Sequence, residues 1–168
     1  MSDTENTRVV NIQKHRPNRT QVSTWNLTDE QLEHSVQLES VRRIQSGTNW
    51  NRYDRRIVSH IRAKLSNYKR QDIKKKMYDP DTFVSNADVI PLLDTVGLTC
   101  YYCHNDIYVL YKCVRDPAQW TLDRIDNTIG HVSANVVAAC LRCNLRRRCA
   151  DNNRFYFSQN IVITQNSK

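Results

Sequence analysis

The chain has few of the residues that loosen or punctuate a backbone: three glycines and four prolines in 168 residues. That excludes collagen-like repeats, proline-rich ligands and glycine-rich linkers. No apolar run approaches the roughly 20 residues needed to cross a bilayer. Met1 to Asn11 lacks the basic start and apolar stretch of a secretory leader. An intracellular protein with no membrane partner is therefore expected, and in that setting cysteines serve as metal ligands more often than as disulfides. Acidic residues are also scarce. The 17 Asp and Glu stand against 25 Lys and Arg, giving a net charge of +8. Such a balance suits a polyanionic partner, nucleic acid before an acidic membrane surface.

The expected fold class is α+β, with N-terminal helices followed by a small domain of strands and a helix. Residues 1–24 are polar and without periodicity, and read as a disordered basic arm. Residues 25–97 read as a helical basic region. A helix is expected from Thr28, with Gln31 completing a capping box, to Gly47. A second runs from about Tyr53 to Met77, where Ile57, Ile61, Leu65 and Tyr68 fall on one face. Between Arg42 and Lys76 there are twelve Lys/Arg and two Asp, so this helix is suited to lie along a phosphate backbone; a solvated outer face explains the charge equally well. A short helix is expected over Asp88 to Val96, with Pro91 in its first turn.

Beyond Gly97 the pattern changes. Residues 107–114, 120–125 and 136–139 read as strands, and Cys140 to Arg148 as helix. The tail, 151–168, reads as strand-like at Phe155–Phe157 and Ile161–Thr164.

Two Cys-x-x-Cys pairs, Cys100/Cys103 and Cys140/Cys143, carry the clearest chemistry. Each pair bites a metal from a tight turn, and two pairs complete a closed tetrahedral zinc site of structural type. A redox dithiol normally needs only one pair. Cys113 and Cys149 are left over. Between and beside the pairs lie Asp123, Asp126, His131, Asn135 and Asn144, with Arg124 and Arg142 nearby. Carboxylate and amide oxygens suit Mg²⁺ or Mn²⁺, and arginine matches phosphate geometry. An ordinary polar hairpin loop would also hold scattered Asp and Asn.

Taken together, Cys-x-x-Cys, then Leu122-Asp123-Arg124-Ile125-Asp126-Asn127-x-x-Gly130-His131, then Asn135-Val136-Val137-x-x-Cys140-x-x-Cys143-Asn144, resembles the HNH (ββα-metal, His-Me finger) endonuclease superfamily. It is closest to the zinc-bearing four-cysteine branch that includes phage recombination endonuclease VII. The resemblance covers about a third of the chain, within residues 98–150, and gives residues 1–97 no role.

The resemblance implies a divalent-metal-dependent endonuclease acting on nucleic acid, DNA in the first place. Asp123 and Asn144 would ligate a catalytic Mg²⁺ or Mn²⁺, Asn135 would hold the hairpin loop, and the four cysteines would hold structural Zn²⁺. Family members commonly carry histidine directly after the first aspartate, as general base. Here that residue is Arg124, which stays protonated and cannot take a proton. His131 is the first candidate to replace it and Asp126 the second. Arg124 is left to clamp phosphate. The alternative is a catalytically impaired zinc-dependent DNA- or RNA-binding protein of the same fold. Each site makes one nick, so a double-strand cut requires a homodimer or a second binding event.

Overall fold

In a computed structural model, which describes residues 26–161, the first helical region opens on reciprocal capping. The Thr28 N–H donates to Gln31 Oε1 at 3.2 Å, and the Gln31 N–H to Thr28 Oγ1 at 3.3 Å. The region is not one helix, however. The pair opens a 3-10 turn, Glu30–Leu32, and Glu33 is extended before α1 (His34–Ser46) begins. Gly47, in the left-handed region at φ 74°, ends α1 as expected. The arm expected at 1–24 lies outside the described residues.

Helix α2 (Arg52–Lys74) starts at a capping box of Asn51 and Asp54, each bond 2.9 Å long. Asp54 also accepts from Nε and Nη2 of Arg43, both at 2.8 Å. This bidentate pair ties α1 to the start of α2. Burial works to raise the Asp54 carboxyl, but the bonds from Arg43 and Asn51 outweigh it and hold it low. The apolar stripe Ile57, Ile61 and Leu65 is buried, as periodicity predicts.

Helix α3 (Asn86–Thr95) begins earlier than expected. Ser85 and Asp88 form its capping box, which moves Pro91 into the second turn. There the ring removes the N–H that the Ala87 carbonyl would otherwise accept.

Strands β1 (Trp120–Arg124) and β2 (Val136–Cys140) pair antiparallel, with Trp120 opposite Cys140 and Arg124 opposite Val136. Helix α4 (Leu141–Arg147) follows β2 directly, with Cys140 as its N-cap. The class is thus mixed α+β: helices around a two-stranded sheet. One apolar cluster runs from Val41 and Ile44 through Ile61 and Leu93 to Trp120, Leu122 and Phe155. Lys64 docks α2 on β1, its Nζ 4.8 Å from the Trp120 ring and 3.2 Å from Gln119 Oε1. No helix among the described residues is long and apolar enough to cross a membrane.

Two expected strands are not formed. Residues 107–114 make only an isolated bridge, Tyr108 to Gln119. Ile107, Val109 and Leu110 are apolar because they are fully buried, not because they pair. The side chain of Gln37 replaces a strand partner. Its Oε1 accepts from the Val109 and Leu110 N–H groups at 2.8 and 2.9 Å, and its Nε2 donates to the Leu110 carbonyl at 3.0 Å. Removing it orphans three buried backbone groups. Gln37→Leu is therefore expected to cost roughly 3 kcal/mol, read as a lower urea midpoint at unchanged slope.

The run Phe155–Phe157 is helical, within α5 (Asn152–Asn160). Asp151 caps it by accepting from the Arg154 N–H at 2.9 Å. Helical pitch lets Phe155 meet Tyr102 edge-on at 4.9 Å while Tyr156 meets Tyr101 at 5.1 Å. Of the second strand-like run, residues 162–164 lie outside the described residues.

Candidate functional site

The first cysteine pair sits on a tight turn after α3. The Cys100 N–H donates to the Asn105 carbonyl at 2.9 Å, and the His104 N–H to the Cys100 carbonyl at 3.0 Å, with His104 left-handed at φ 55°. The Tyr101 N–H donates to the Ala138 carbonyl at 2.8 Å, which sets this turn against β2. The second pair is the β2–α4 junction. Cys140 Sγ accepts from the Cys143 N–H at 3.3 Å, and Cys100 Sγ from the Cys140 N–H at 3.2 Å.

All four Sγ atoms lie within 4.8 Å of one another, and Cys103 to Cys140 is 3.9 Å. Tetrahedral ligation at about 2.3 Å per bond puts sulfurs about 3.8 Å apart, so the thiols are already spaced to hold a metal ion. Crowding splits their acidity. Hydrogen bonds from Cys140 and Cys143 push the Cys100 thiol well down, while the bond to Cys100 pushes Cys140 up to about 11 and Cys143 further. Four thiolates this close need a cation between them. Arg142 stands beside the cluster, its own acidity weakened by the bond to Cys103. Cys113 and Cys149 take no part.

Between α2, the hairpin and α4 lies a cleft of about 350 Å³. Asp123, Arg124 and His131 line it, as does Asn144. Asn144 sits on α4 with Nδ2 donating to Thr121 Oγ1 at 3.1 Å and to the Leu122 carbonyl at 3.3 Å. Both amide protons are spent on β1, so Oδ1 is the acceptor this side chain has left to offer. Asp123 is buried. Its Oδ2 accepts from the Tyr102 hydroxyl at 2.7 Å, and its Oδ1 from Nη1 of Arg147 at 3.0 Å. A carboxylate has about four acceptor sites, so two such bonds orient it and leave capacity for a cation. Burial, then Asp123 itself, raises the Tyr102 hydroxyl, which keeps it a donor.

Asn135 holds the loop between the strands. Its Oδ1 accepts from the Asp126 N–H at 2.8 Å, and its Nδ2 donates to the Asp126 and Gly130 carbonyls at 2.9 and 3.1 Å. Its own carbonyl accepts from the Ile125 N–H at 2.8 Å. Arg124 closes the same loop from within, Nη1 donating to the Ile129 and Asn127 carbonyls at 3.1 and 3.3 Å.

Asp126 is not among the residues lining the cleft. It is exposed and accepts from the Thr128 N–H and hydroxyl at 2.8 and 2.7 Å, bonds that hold its carboxyl low. It is a turn former.

The sequence reading missed Asp72. This residue of α2 is 1% exposed in its side chain, with Oδ1 and Oδ2 both 2.9 Å from His131 Nδ1. The signal was present in the pattern. Asp72 continues the stripe Ile61, Leu65 and Tyr68, and an acid on an apolar stripe needs a distant partner. Burial lowers the pKa of His131, and Asp72 only partly reverses that. The ring thus holds its proton less tightly than an ordinary histidine does.

Lys75, Arg124 and Arg148 also line the cleft, where Asp123 is the one carboxylate among the described residues. Three cations against one carboxylate favour an anion. A hard cation there would take one carboxylate and one amide oxygen, with its other positions left to water and the anion, the manner in which Mg²⁺ is usually held. No protein-family model matches the chain, and no curated protein and no solved structure matches it.

Proposed function

We propose that the chain is a divalent-metal-dependent endonuclease of the HNH type, acting on DNA in the first place, with structural Zn²⁺ on Cys100, Cys103, Cys140 and Cys143. The observation that carries this is the cleft. It brings Asp123, Asn144 and His131 together among three cations, beside a hairpin clamped by Asn135.

Asp123 and Asn144 would hold Mg²⁺ or Mn²⁺. That ion, when bound, supplies charge stabilisation on the scissile phosphate and the leaving 3′ oxygen. The protein residues do the rest. Lys75 and Arg148 draw the phosphate into the cleft. Arg124 adds charge at its edge while keeping the loop closed. His131 accepts the proton of the attacking water.

Both acids of the Arg42–Lys76 segment, Asp54 and Asp72, are buried. The solvent face of α2 is thus basic and neutral along about 34 Å, from 23 residues at 1.5 Å each. A surface of that charge binds phosphate backbone without reading bases, giving salt-sensitive affinity.

The test is nicking of supercoiled plasmid in Mg²⁺ or Mn²⁺. Asn144→Ala is expected to lower the rate at least about 100-fold at unchanged circular dichroism. Equal rates for the two proteins would remove Asn144 from the metal site and sink the reading.

A second reading, a nucleic-acid-binding domain of this fold without turnover, draws on one observation. Arg147 already neutralises Asp123, which weakens its pull on a cation. That reading expects tight binding and no nicking in either metal.

A further inference from the structure

Two acids are buried in a helix that otherwise shows only basic and neutral side chains to solvent, and they have different explanations. Asp54 caps α2 and pairs with Arg43. Asp72 does neither, and among the described residues the ionisable side chain it bonds is that of His131. A buried carboxylate without a cationic partner is costly, and this one faces a histidine at the wall of the cleft. We propose that Asp72, supplied by α2, is the positioning residue of the hydrolytic site: it fixes His131 as the Nδ1–H tautomer and so presents Nε2 to the cleft as the proton acceptor.

The geometry is over-determined. The His131 backbone N–H donates to Asp72 Oδ2 at 2.7 Å, and the ring Nδ1 lies 2.9 Å from each oxygen of the same carboxylate. A carboxylate accepts and does not donate, so Nδ1 carries the proton and Nε2 keeps its lone pair. Tyr68, one turn before Asp72, stacks on the imidazole at 4.5 Å and 27°, which fixes the ring plane. Gly130 lets the loop come this close. A Cβ there would lie 2.4 Å from the Met77 carbonyl oxygen and 3.1 Å from Asp72 Oδ2. The Val84 N–H donates to the His131 carbonyl at 2.9 Å, securing the loop from the other side. In the proton transfer, water gives H⁺ to Nε2 as its oxygen bonds to phosphorus, the P–O3′ bond breaks, and the departing 3′ oxygen takes a proton from solvent. The ring then carries a positive charge, which Asp72 at Nδ1 stabilises, and the proton later leaves to solvent.

The groups around the imidazole set the direction of the pH effect. Asp72 favours the protonated ring, whereas Lys75 and Arg124 disfavour it, as does burial against Tyr68. Asp123 and Arg148 share the cleft. In Asp72→Asn the favourable charge is gone, so His131 titrates lower still. Its acidic rate limb moves to lower pH even as the plateau falls.

This inference rests on the hydrolytic reading, and its test separates the two. Nitrogen-detected NMR of the full chain is expected to show His131 protonated on Nδ1 and bare on Nε2. A ring protonated on Nε2 overturns the proposal whether or not the protein cuts. For Asp72→Asn, nicking is expected to fall about 100-fold or more. The acidic limb moves to lower pH, while the Mg²⁺ half-saturation and the DNA affinity stay unchanged. An equal loss at every pH, or a raised metal requirement with the limb in place, overturns it. If the wild type cuts nothing, the hydrolytic reading fails alone, and the tautomer still decides the role of Asp72.

Discussion

If zinc occupies the four-cysteine cluster as proposed, stripping it, or replacing Cys143 with serine, is expected to unfold the hairpin and everything packed on it. The cluster joins segments 40 residues apart in sequence, the turn at Cys100 and the β2–α4 junction at Cys140. The bond from Tyr101 to Ala138 also ties that turn to β2. Structural zinc contributes about 10–16 kcal/mol of apparent binding free energy at neutral pH. A whole domain is stable by only about 5–15 kcal/mol, so losing the ion costs about as much as the net stability of the fold. Without a cation, thiolates this close also repel one another. One zinc per chain by elemental analysis, and loss of the cooperative thermal transition on chelation, are the expected results. Metal-free protein that melts as sharply as the purified form would contradict the zinc assignment. Protons compete for the same sulfurs, so zinc is expected to leave as pH falls.

The second large effect belongs to Arg147. This guanidinium is 2% exposed and holds three things at once. Nη1 reaches Asp123 Oδ1 at 3.0 Å and the Arg124 carbonyl at 2.6 Å, while Nη2 reaches the Ile125 carbonyl at 2.8 Å. Arg147→Leu leaves a buried carboxylate unpaired and two carbonyls orphaned, at a cost of roughly 3–5 kcal/mol. Adding Asp123→Asn to that variant removes the stranded charge and is expected to recover part of the loss. The shortfall that remains belongs to the two carbonyls. Urea melts of the single and double variants measure both parts. A double variant no more stable than Arg147→Leu would mean that Asp123 carries little of the cost.

These effects are local in space but not in sequence, which explains what the sequence made legible. Helices α1 to α4 were legible in the sequence, α1 and α2 because apolar residues recur at helical spacing, and β1 and β2 because short apolar runs sit between turns. The cysteine pairs were readable because ligand geometry demands fixed spacing. Residues 107–114 misled because burial and strand pairing leave the same apolar signature, and the choice was made by Gln37, some 70 residues away. Phe155–Phe157 misled because three aromatics in a row favour strand, whereas the Asp151 cap and the Tyr101–Tyr102 surface favour helix. In the candidate site, Asp123, Asn144 and His131 line one cleft, and Asp126 does not. Asp72 stands 59 residues before its partner, and only its place on an apolar stripe gave it away.

The most direct test of the account is the end chemistry of cleaved DNA. A short labelled duplex and a branched one are incubated with purified protein in Mg²⁺ or Mn²⁺, with metal-free and Asn144→Ala reactions alongside. The account predicts metal-dependent breaks bearing 3′-hydroxyl and 5′-phosphate ends, because the 3′ oxygen leaves and water supplies the new bond to phosphorus. Intact duplex, branched DNA and RNA in both metals, from protein that binds them and retains its zinc, would contradict it.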